Sequence, residues 1–290
     1  MTDGIPQSAA TIVRTAARAF ERDRYLAALL APSAVREDLL VLAAFAGEIG
    51  RIAGYVSEPM IGRIRLQWWR EALDQEPATG NPIAEGVRSL IARLPESRTH
   101  FAGAIDAREH ELDATFPASD TEFDAHLVAT EGAMFSLAMR ICGDLLPDPG
   151  IAASAGRSYG IARTLVELPA LLAQRRLLLP RTLLQSSAIP PEALYDDIAV
   201  RHPSHPQLMQ MTGVLATRAR AATAALRGPR GTVGRARIAA LLPVALIEPY
   251  LALVEEAWSR SGLASAGLAL DLSPFKRVWT LWRAHRTQRL

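Results

Sequence analysis

Side chains that could hold a metal ion gather in one short run of the sequence, which contains Asp106, Glu109, His110, Glu111 and Asp113. Asp106, Glu109 and Asp113 recur about one helical turn apart, and hard divalent cations take carboxylate oxygens of this kind. Arg108 lies within the same run, however, and runs of mixed charge usually form the solvated face of a helix. We therefore favour a solvated face over a metal site here.

The segment 56–73 predicts an amphipathic helix that concentrates tryptophan and arginine. Ser57 can cap its N-terminus, and Pro59 fits a first helical turn because its missing N–H would have no partner there. One apolar face then recurs at helical spacing; its members are Ile61, Ile64, Trp68 and Ala72. The other faces carry Arg63, Arg65, Gln67 and Arg70. The favoured interpretation is a core helix whose basic face meets solvent, an anionic ligand or a partner.

Trp69 and Arg70 lie off that apolar stripe, so at least one of them should be reachable from outside. Tryptophan and arginine are the residue types most often found at binding hot spots. We therefore predict Trp69 and Arg70 as a partner-binding surface. A second candidate surface is the arginine-rich region that contains Arg218, Arg220, Arg227, Arg230, Arg235 and Arg237.

The composition excludes several classes of function. The 49% of hydrophobic residues and 21% of charged residues are typical of a globular protein. A formal net charge of +2 is too small to indicate a nucleic-acid partner. The single cysteine, Cys142, cannot form an internal disulfide or build a thiolate metal site. No glycine-rich nucleotide loop, nucleophile elbow or zinc-protease motif is present.

No segment is predicted to span a membrane, because the longest uncharged apolar runs, such as 238–247, reach half of the roughly 20 residues required. The N-terminal residues lack the pattern of a secretory signal. We expect a cytoplasmic protein, with peripheral contact at the inner face of the inner membrane as the alternative.

Helix signals recur along the whole chain. Caps, prolines and apolar periodicity predict helices over 11–30, 33–49, 56–73, 82–94, 119–142, 151–172 with an interruption near Pro169, 207–226, and one that opens at 273. The proline-rich segment 180–206 is predicted to be a loop. No alternating run of β-branched residues is bounded by hairpin turns. The prediction is an all-α helical bundle that forms a single domain over residues 1–290.

Five segments resemble, in order and spacing, the squalene/phytoene synthase family. They lie at 22–32, 36–45, 56–73, 129–143 and 159–180, so the resemblance is strongest over residues 20–180. It implies an isoprenoid-synthase-like bundle around a central cavity. Enzymes of this family join two prenyl diphosphates head to head and hold Mg²⁺ with two aspartate-rich motifs on facing helices.

The aspartates of both motifs are missing here. In the region of the first motif, 46–54, Glu48 is the sole acid, and the aspartate positions are near Gly50, Arg51 and Gly54. In the region of the second motif, 160–180, Glu167 is the sole carboxylate. Ionisation of a diphosphate needs cations that carboxylates hold. We therefore predict no catalytic residue, no metal and no cofactor, with Mg²⁺ expected only if the protein is a divergent prenyltransferase.

The Ser-Glu-Pro and Gln-Trp-Trp-Arg patterns of 57–70 are closer to a divergent branch of the family that acts in respiratory complex I assembly. The resemblance implies a non-catalytic protein whose partners are complex I assembly intermediates, with a membrane surface or an isoprenoid lipid as further partners. Two alternatives remain open: a divergent prenyltransferase that uses isoprenyl diphosphates, and an isoprenoid- or lipid-binding protein. Residues carried over to the cleft by position are Tyr25, Arg36, Glu48, Arg51, Arg65, Tyr159, Arg163 and Glu167.

Overall fold

The computed structural model describes residues 8–74, 79–113, 116–144, 146–186, 194–195, 206–226, 235–261 and 270–290, and every regular element within them is helical. This confirms the predicted all-α fold. The helices are α1 Ala9–Phe20, α2 Arg22–Leu30, α3 Ser33–Gly50, α4 Ile52–Tyr55, α5 Pro59–Asp74, α6 Pro82–Arg93, α7 Ser97–Glu109, α8 Asp120–Leu127, α9 Ala133–Ile141, α10 Pro149–Ala173, α11 Arg181–Ser186, α12 Pro206–Ala225, α13 Arg235–Leu241, α14 Ile247–Ser261 and α15 Pro274–Thr287.

Polar caps start the helices where the sequence predicts them. The Asn81 side chain accepts hydrogen bonds from the amides of Ile83 and Ala84 at the start of α6, and Pro82 occupies the first turn. Ser119 caps α8 and Ser273 caps α15 in the same way. These local signals are strong because each satisfies an amide that the helix itself leaves without an acceptor.

Four predicted elements differ in detail. The predicted helix 11–30 divides at Glu21, whose φ of −134° and ψ of 58° are not helical. The predicted helix 119–142 contains a π-helical turn, Val128–Gly132. The predicted interruption near Pro169 is wrong, because α10 continues through this proline to Ala173. Of the predicted loop 180–206, residues 181–186 form α11, and 187–193 and 196–205 lie outside the described residues.

The long helix α10 occupies the centre of the fold and packs on α8, α9, α12, α14 and the π-helical turn. Gly156 permits its closest approach to a neighbour. A β-carbon at Gly156 would lie 2.6 Å from the Cα of Gly132 and 3.0 Å from the carbonyl oxygen of Leu127. These are backbone atoms, which cannot rotate away as a flexible side chain can. The π-helical turn and α10 therefore require glycine at this crossing.

A buried carboxylate joins the two ends of the chain. Asp23 of α2 accepts hydrogen bonds from the hydroxyls of Tyr159 at 2.8 Å and Tyr250 at 2.7 Å. The guanidinium of Arg277 in α15 donates to the same carboxylate at 2.8 Å. All four side chains are buried. Because a buried charge without its partner is costly, this group fixes α15 against α2, α10 and α14.

One stretch of the described residues, Arg237–Ala257, is long and apolar enough to cross a membrane, and an 18-residue window within it has a mean hydropathy of 1.8. In this fold 67% of that window is buried within the protein. The whole stretch spans the end of α13, a 3₁₀ turn at Leu242–Leu246 and most of α14. The burial indicates that its apolar side chains serve the core.

The close packing of α10 predicts that a single methyl group added at residue 156 will strongly destabilise the fold. Gly156→Ala should lower the free energy of unfolding by about 2–3 kcal/mol, because the added carbon meets backbone atoms that cannot move aside. Gly103 is the matched control, since a β-carbon there would meet nothing within 4 Å. Gly103→Ala in α7 should raise stability by up to about 1 kcal/mol. Equal effects in urea unfolding would contradict the assignment of this crossing.

Candidate functional site

A cleft of about 610 Å³ opens between α1, α3, α7, α8 and α10, at the position of the predicted central cavity. Both regions where aspartate motifs were expected face it, since Gly50 and Gly54 line one side and Arg163 and Glu167 line the other. The wall carries many charged side chains, among them Glu21, Arg51, Arg108, Glu111, Glu131, Arg163, Glu167 and Arg176.

Glutamates and arginines of this wall alternate in a continuous series of ion pairs. At one end Arg163 contacts Glu167 at 2.6 Å and Glu21 at 2.5 Å. Arg24 then joins Glu21 at 2.6 Å to Glu131 at 2.6 Å. We call the complete series the Glu/Arg chain; it consists of Glu167, Arg163, Glu21, Arg24, Glu131, Arg108 and Glu111.

The other end of the Glu/Arg chain reaches a histidine. Arg108 contacts Glu131 at 3.0 Å and Glu111 at 2.6 Å. The Nε2 atom of His126 lies 2.9 Å from Glu111. Each arginine of the chain therefore joins two carboxylates, and the pairs link α1, α2, α7, α8, α10 and the π-helical turn across the cleft.

Irregularities in two helices place the central carboxylates. Glu21 lies at the non-helical residue between α1 and α2, and Glu131 lies in the π-helical turn. Single π-helical turns are rare and occur frequently at functional sites. In this protein both irregular residues direct a carboxylate towards Arg24, which is buried between them.

The arginines keep Glu131 and Glu111 ionised. Burial would raise the pKa of Glu131, but the charges of Arg24, Arg108 and Arg163 hold this pKa well below its usual range. Burial likewise acts to raise the pKa of Glu111, yet the Arg108 charge and a hydrogen bond from His126 lower it to about 2. Glu131 and Glu111 therefore form true ion pairs with these arginines at neutral pH.

The side chains of the cleft do not fit Mg²⁺. Hard cations need carboxylate oxygens directed at one point, and here the buried carboxylates are already bonded to guanidinium groups. A β-carbon at Gly50 would lie 3.5 Å from Nη2 of Arg108, and one at Gly54 would lie 3.2 Å from Nη1 of Arg176. Positive charge therefore stands where the first aspartate motif was expected. Within the described residues, no three His, Cys, Asp or Glu side chains are grouped so that they could hold a metal ion.

The structure brings together three of the predicted cleft residues. Arg51, Arg163 and Glu167 line the cleft. The Arg51 guanidinium lies over the Phe20 ring, 4.0 Å from its centroid. Glu48 binds Arg51 at 2.7 Å and faces a neighbouring pocket that Arg65 also lines.

The remaining predicted contacts do not line the cleft. Tyr159 is fully buried and donates its hydroxyl to Asp23, so its role is to join helices. Tyr25 is half-buried and packs against the core. Arg36 is half-buried and donates to the carbonyl oxygen of Ala31. These predictions came from position in the resembling segments, which does not fix the direction of a side chain.

Sequence reasoning missed most of the Glu/Arg chain. Arg24 and Glu131 lie in segments that carried the family resemblance, but their pairing joins positions 107 residues apart. The run of possible metal ligands at 106–113 lies in two environments. Asp106 and Glu109 bind Arg70 on the half-exposed side of α7, whereas Glu111 is buried. The predicted solvated face therefore holds only for its outer members.

The predicted orientation of α5 is wrong. Trp69 is 4% exposed and packs edge-on against Phe45, with ring centroids 5.3 Å apart. Most of the predicted core stripe faces solvent, since Ile61, Ile64 and Trp68 are 40%, 62% and 39% exposed. Its fourth member, Ala72, is buried. Helix α5 has two apolar stripes, and close packing decides between them. A β-carbon at Gly62 would lie 2.5 Å from Leu112, so the stripe of Gly62, Leu66, Trp69 and Leu73 must face inwards.

Arg70, the other predicted surface residue, is partly exposed and already paired. It contacts Asp106 at 2.8 Å and Glu109 at 2.7 Å. The second candidate surface is also largely neutralised where it is described. Arg218 pairs with Asp120 and Asp124, Arg220 with Glu248 and Glu255, and Arg237 with Asp144. Arg227 and Arg230, and the side chain of Arg235, lie outside the described residues.

The fold and the cleft define an isoprenoid-synthase-like helical bundle whose cleft holds ion pairs in place of carboxylate clamps. Residues 17–269 match the family model described as squalene/phytoene synthase. The chain belongs to the squalene/phytoene synthase family, as its sequence predicted. A solved structure described as a dehydrosqualene synthase in complex with ligand superposes with a TM-score of 0.72, at 13% identity over 96% of each chain. At this identity the likeness shows the fold.

Similar curated proteins carry the name NADH dehydrogenase (ubiquinone) complex I, assembly factor 6. The Bos taurus protein is 29% identical over 161 residues, which cover 54% of this chain and 48% of that protein. The Homo sapiens protein is 27% identical over 161 residues, with the same coverage. The Drosophila melanogaster homolog is 26% identical over 161 residues, covering 52% and 48%. The aligned part spans about half the length of these relatives.

The corrected orientation of α5 predicts very unequal effects for its adjacent tryptophans. Trp69→Ala should lower the free energy of unfolding by about 3–5 kcal/mol, because it leaves a cavity beside Phe45. Trp68→Ala should change it by less than about 1 kcal/mol, since the ring is already partly in solvent. Denaturant unfolding of both variants measures the difference. A larger loss for Trp68→Ala would restore the orientation predicted from spacing.

The lowered pKa of Glu111 predicts that its ion pairs stabilise the fold above its unfolded-state pKa near 4.5 and are lost as pH falls towards 2. A shift of this size corresponds to about 3 kcal/mol. Glu111→Gln should therefore be about 3 kcal/mol less stable than wild type at pH 7, and the difference should shrink between pH 4.5 and 2. Glu71→Gln, on the exposed side of α5, is the control and should stay within about 0.5 kcal/mol of wild type at pH 7. A difference for Glu111→Gln that is constant with pH would show that ionisation of Glu111 does not contribute.

Proposed function

We propose that this protein acts in the assembly of respiratory complex I and does not catalyse prenyl transfer. The observation that carries the proposal is the Glu/Arg chain, which engages the cleft carboxylates from which metal clamps would have to be built. The names of the similar curated proteins support the assembly role.

The physical argument against prenyl transfer concerns the first step of that chemistry. Departure of a diphosphate develops negative charge, which divalent cations absorb when carboxylates hold them in place. To bind a cation here, Glu131 would have to release Arg24, which is buried, and Arg108, whose side chain is 16% exposed. Removal of one partner from a buried pair costs about 3–5 kcal/mol. The prenyltransferase alternative is therefore not favoured.

The wall of the cleft also argues against the lipid-binding alternative. An isoprenoid chain would lie against Arg108, Arg163 and Glu167 and would exclude water from charges that face the cleft. Proteins that share a family fold need not share its activity, because activity depends on the residues of the site. With the site occupied by ion pairs, we expect the function to reside on the outer surface.

The proposal includes a protein partner among the complex I assembly intermediates and a location where that complex is assembled. We expect the protein to be cytoplasmic or to lie peripherally at the inner face of the inner membrane. The outward stripe of α5, with Ile64 and Trp68 beside Arg65, replaces Trp69 as the candidate contact with the protein partner. Tryptophan and arginine in such a patch are typical of binding hot spots.

Two experiments test this proposal. The purified protein, incubated with farnesyl or geranylgeranyl diphosphate and Mg²⁺, should give no squalene- or phytoene-type product, while an active dehydrosqualene synthase assayed in parallel does. Cells that lack the protein should contain less assembled complex I. The wild type should restore the complex, and so should Glu48→Ala/Glu167→Ala, because the proposed role uses no carboxylate chemistry.

Product that disappears in Glu48→Ala or Glu167→Ala would instead assign the protein to the prenyltransferases. An unchanged amount of complex I in cells that lack the protein would refute the assembly role.

A further inference from the structure

The C-terminal helix α15 turns a row of aromatic rings to solvent. Phe275 is 77% exposed, Trp279 51% and Trp282 42%. The rings stack along the helix, with centroids 6.4 Å apart between Phe275 and Trp279 and 5.1 Å apart between Trp279 and Trp282. Val278, 49% exposed, adjoins the row. Exposed apolar patches of this kind mark interaction sites in soluble proteins.

Buried contacts hold this helix in one orientation. The opposite face consists of Arg277, Leu281 and Ala284, which are buried. Arg277 donates to Asp23 at 2.8 Å and to the hydroxyl of Tyr250 at 3.0 Å. Rotation of α15 to bury its aromatic rings would break these contacts and leave the buried carboxylate of Asp23 without its arginine partner. The aromatic row is therefore presented to the outside as a fixed feature of the fold.

The surroundings of the row are positively charged. From Ser273 to Leu290 the sequence contains no Asp or Glu. Four exposed basic residues lie in the same stretch: Lys276, Arg283, Arg286 and Arg289. The Arg286 guanidinium lies 5.9 Å from the centroid of the Trp282 ring. The nearest preceding acid, Asp271, is bound to Arg277 and lies 3.4 Å from Arg22. This face therefore combines apolar rings with cations.

We propose that α15 docks the protein onto the surface of an anionic lipid bilayer. Helices with tryptophan and phenylalanine on one side and basic residues beside them bind in the plane of the membrane interface. Tryptophan rings are stable at the level of the headgroups, and basic side chains are attracted to anionic headgroups. The row lies on the outward side of a helix, and a fluid lipid surface needs no complementary shape to receive it. This inference deepens the proposed function by naming the surface that contacts the membrane.

Vesicle binding by the purified full chain tests the proposal. The protein should sediment with vesicles of phosphatidylcholine and phosphatidylglycerol and much less with phosphatidylcholine alone, and added salt should release it. The variant Phe275→Ser/Trp279→Ser/Trp282→Ser should bind anionic vesicles at least about tenfold more weakly. Lys276→Glu/Arg283→Glu/Arg286→Glu keeps the rings and should lose the preference for anionic vesicles.

The outward stripe of α5 supplies a matched control. Ile61→Ser/Ile64→Ser/Trp68→Ser removes a comparable exposed apolar surface elsewhere and should leave vesicle binding unchanged. All three variants should melt close to the wild type, because the altered side chains are exposed. If the ring variant does not fold, the charge variant decides the question.

Three results would overturn the proposal: no binding of wild type to anionic vesicles, equal loss of binding in the α5 control, or unchanged binding in the α15 variants. A wild-type dimer that the ring variant converts to a monomer, without vesicle binding, would assign the face to a second copy of the chain. The vesicle assay contains no complex I and the complementation assay contains no vesicles, so failure of one proposal is distinguishable from failure of the other.

Discussion

The structure of the cleft depends on one constraint: each charged side chain buried there must lie against a side chain of opposite charge. Glu21, Arg24 and Glu131 are each less than 9% exposed, and burying any one of these charges without its partners would be costly. Their pairing fixes the break between α1 and α2 and the π-helical turn relative to each other. Such an arrangement leaves no carboxylate of the buried set free to bind a cation. The same interactions that organise the cleft therefore engage the buried carboxylates that a metal clamp would need.

A second buried charge determines how the outer surface is presented. Asp23 lies two residues from Glu21, so α2 contributes to the cleft and also anchors the C-terminal helix through Arg277. The aromatic row of α15 faces outwards because Arg277 faces inwards. A protein that has kept the fold of an enzyme family can thus support a function located on its surface, since fold and function are separable.

The sequence predicts the fold well because the signals involved are local. Helix caps at Asn81 and Ser119 act within one turn, and absent aspartates near Gly50 and Gly54 are visible in the sequence itself. The Glu/Arg chain could not be predicted, because its pairs join residues as far as 142 positions apart.

The prediction of the orientation of α5 was wrong for a different reason. Two apolar stripes of similar strength run along the helix, and the contact between Gly62 and Leu112 that selects one of them is tertiary. The predicted single domain over residues 1–290 stays a prediction.

The central claim is that arginines, and not metal ions, neutralise the cleft carboxylates. Electron paramagnetic resonance of Mn²⁺ in the presence of inorganic diphosphate measures this directly, because the signal of free Mn²⁺ falls when a protein binds the ion. We predict the same signal with and without the protein at equal diphosphate concentration. A stoichiometric, protein-dependent loss of signal that Glu131→Gln or Glu167→Gln abolishes would contradict the account.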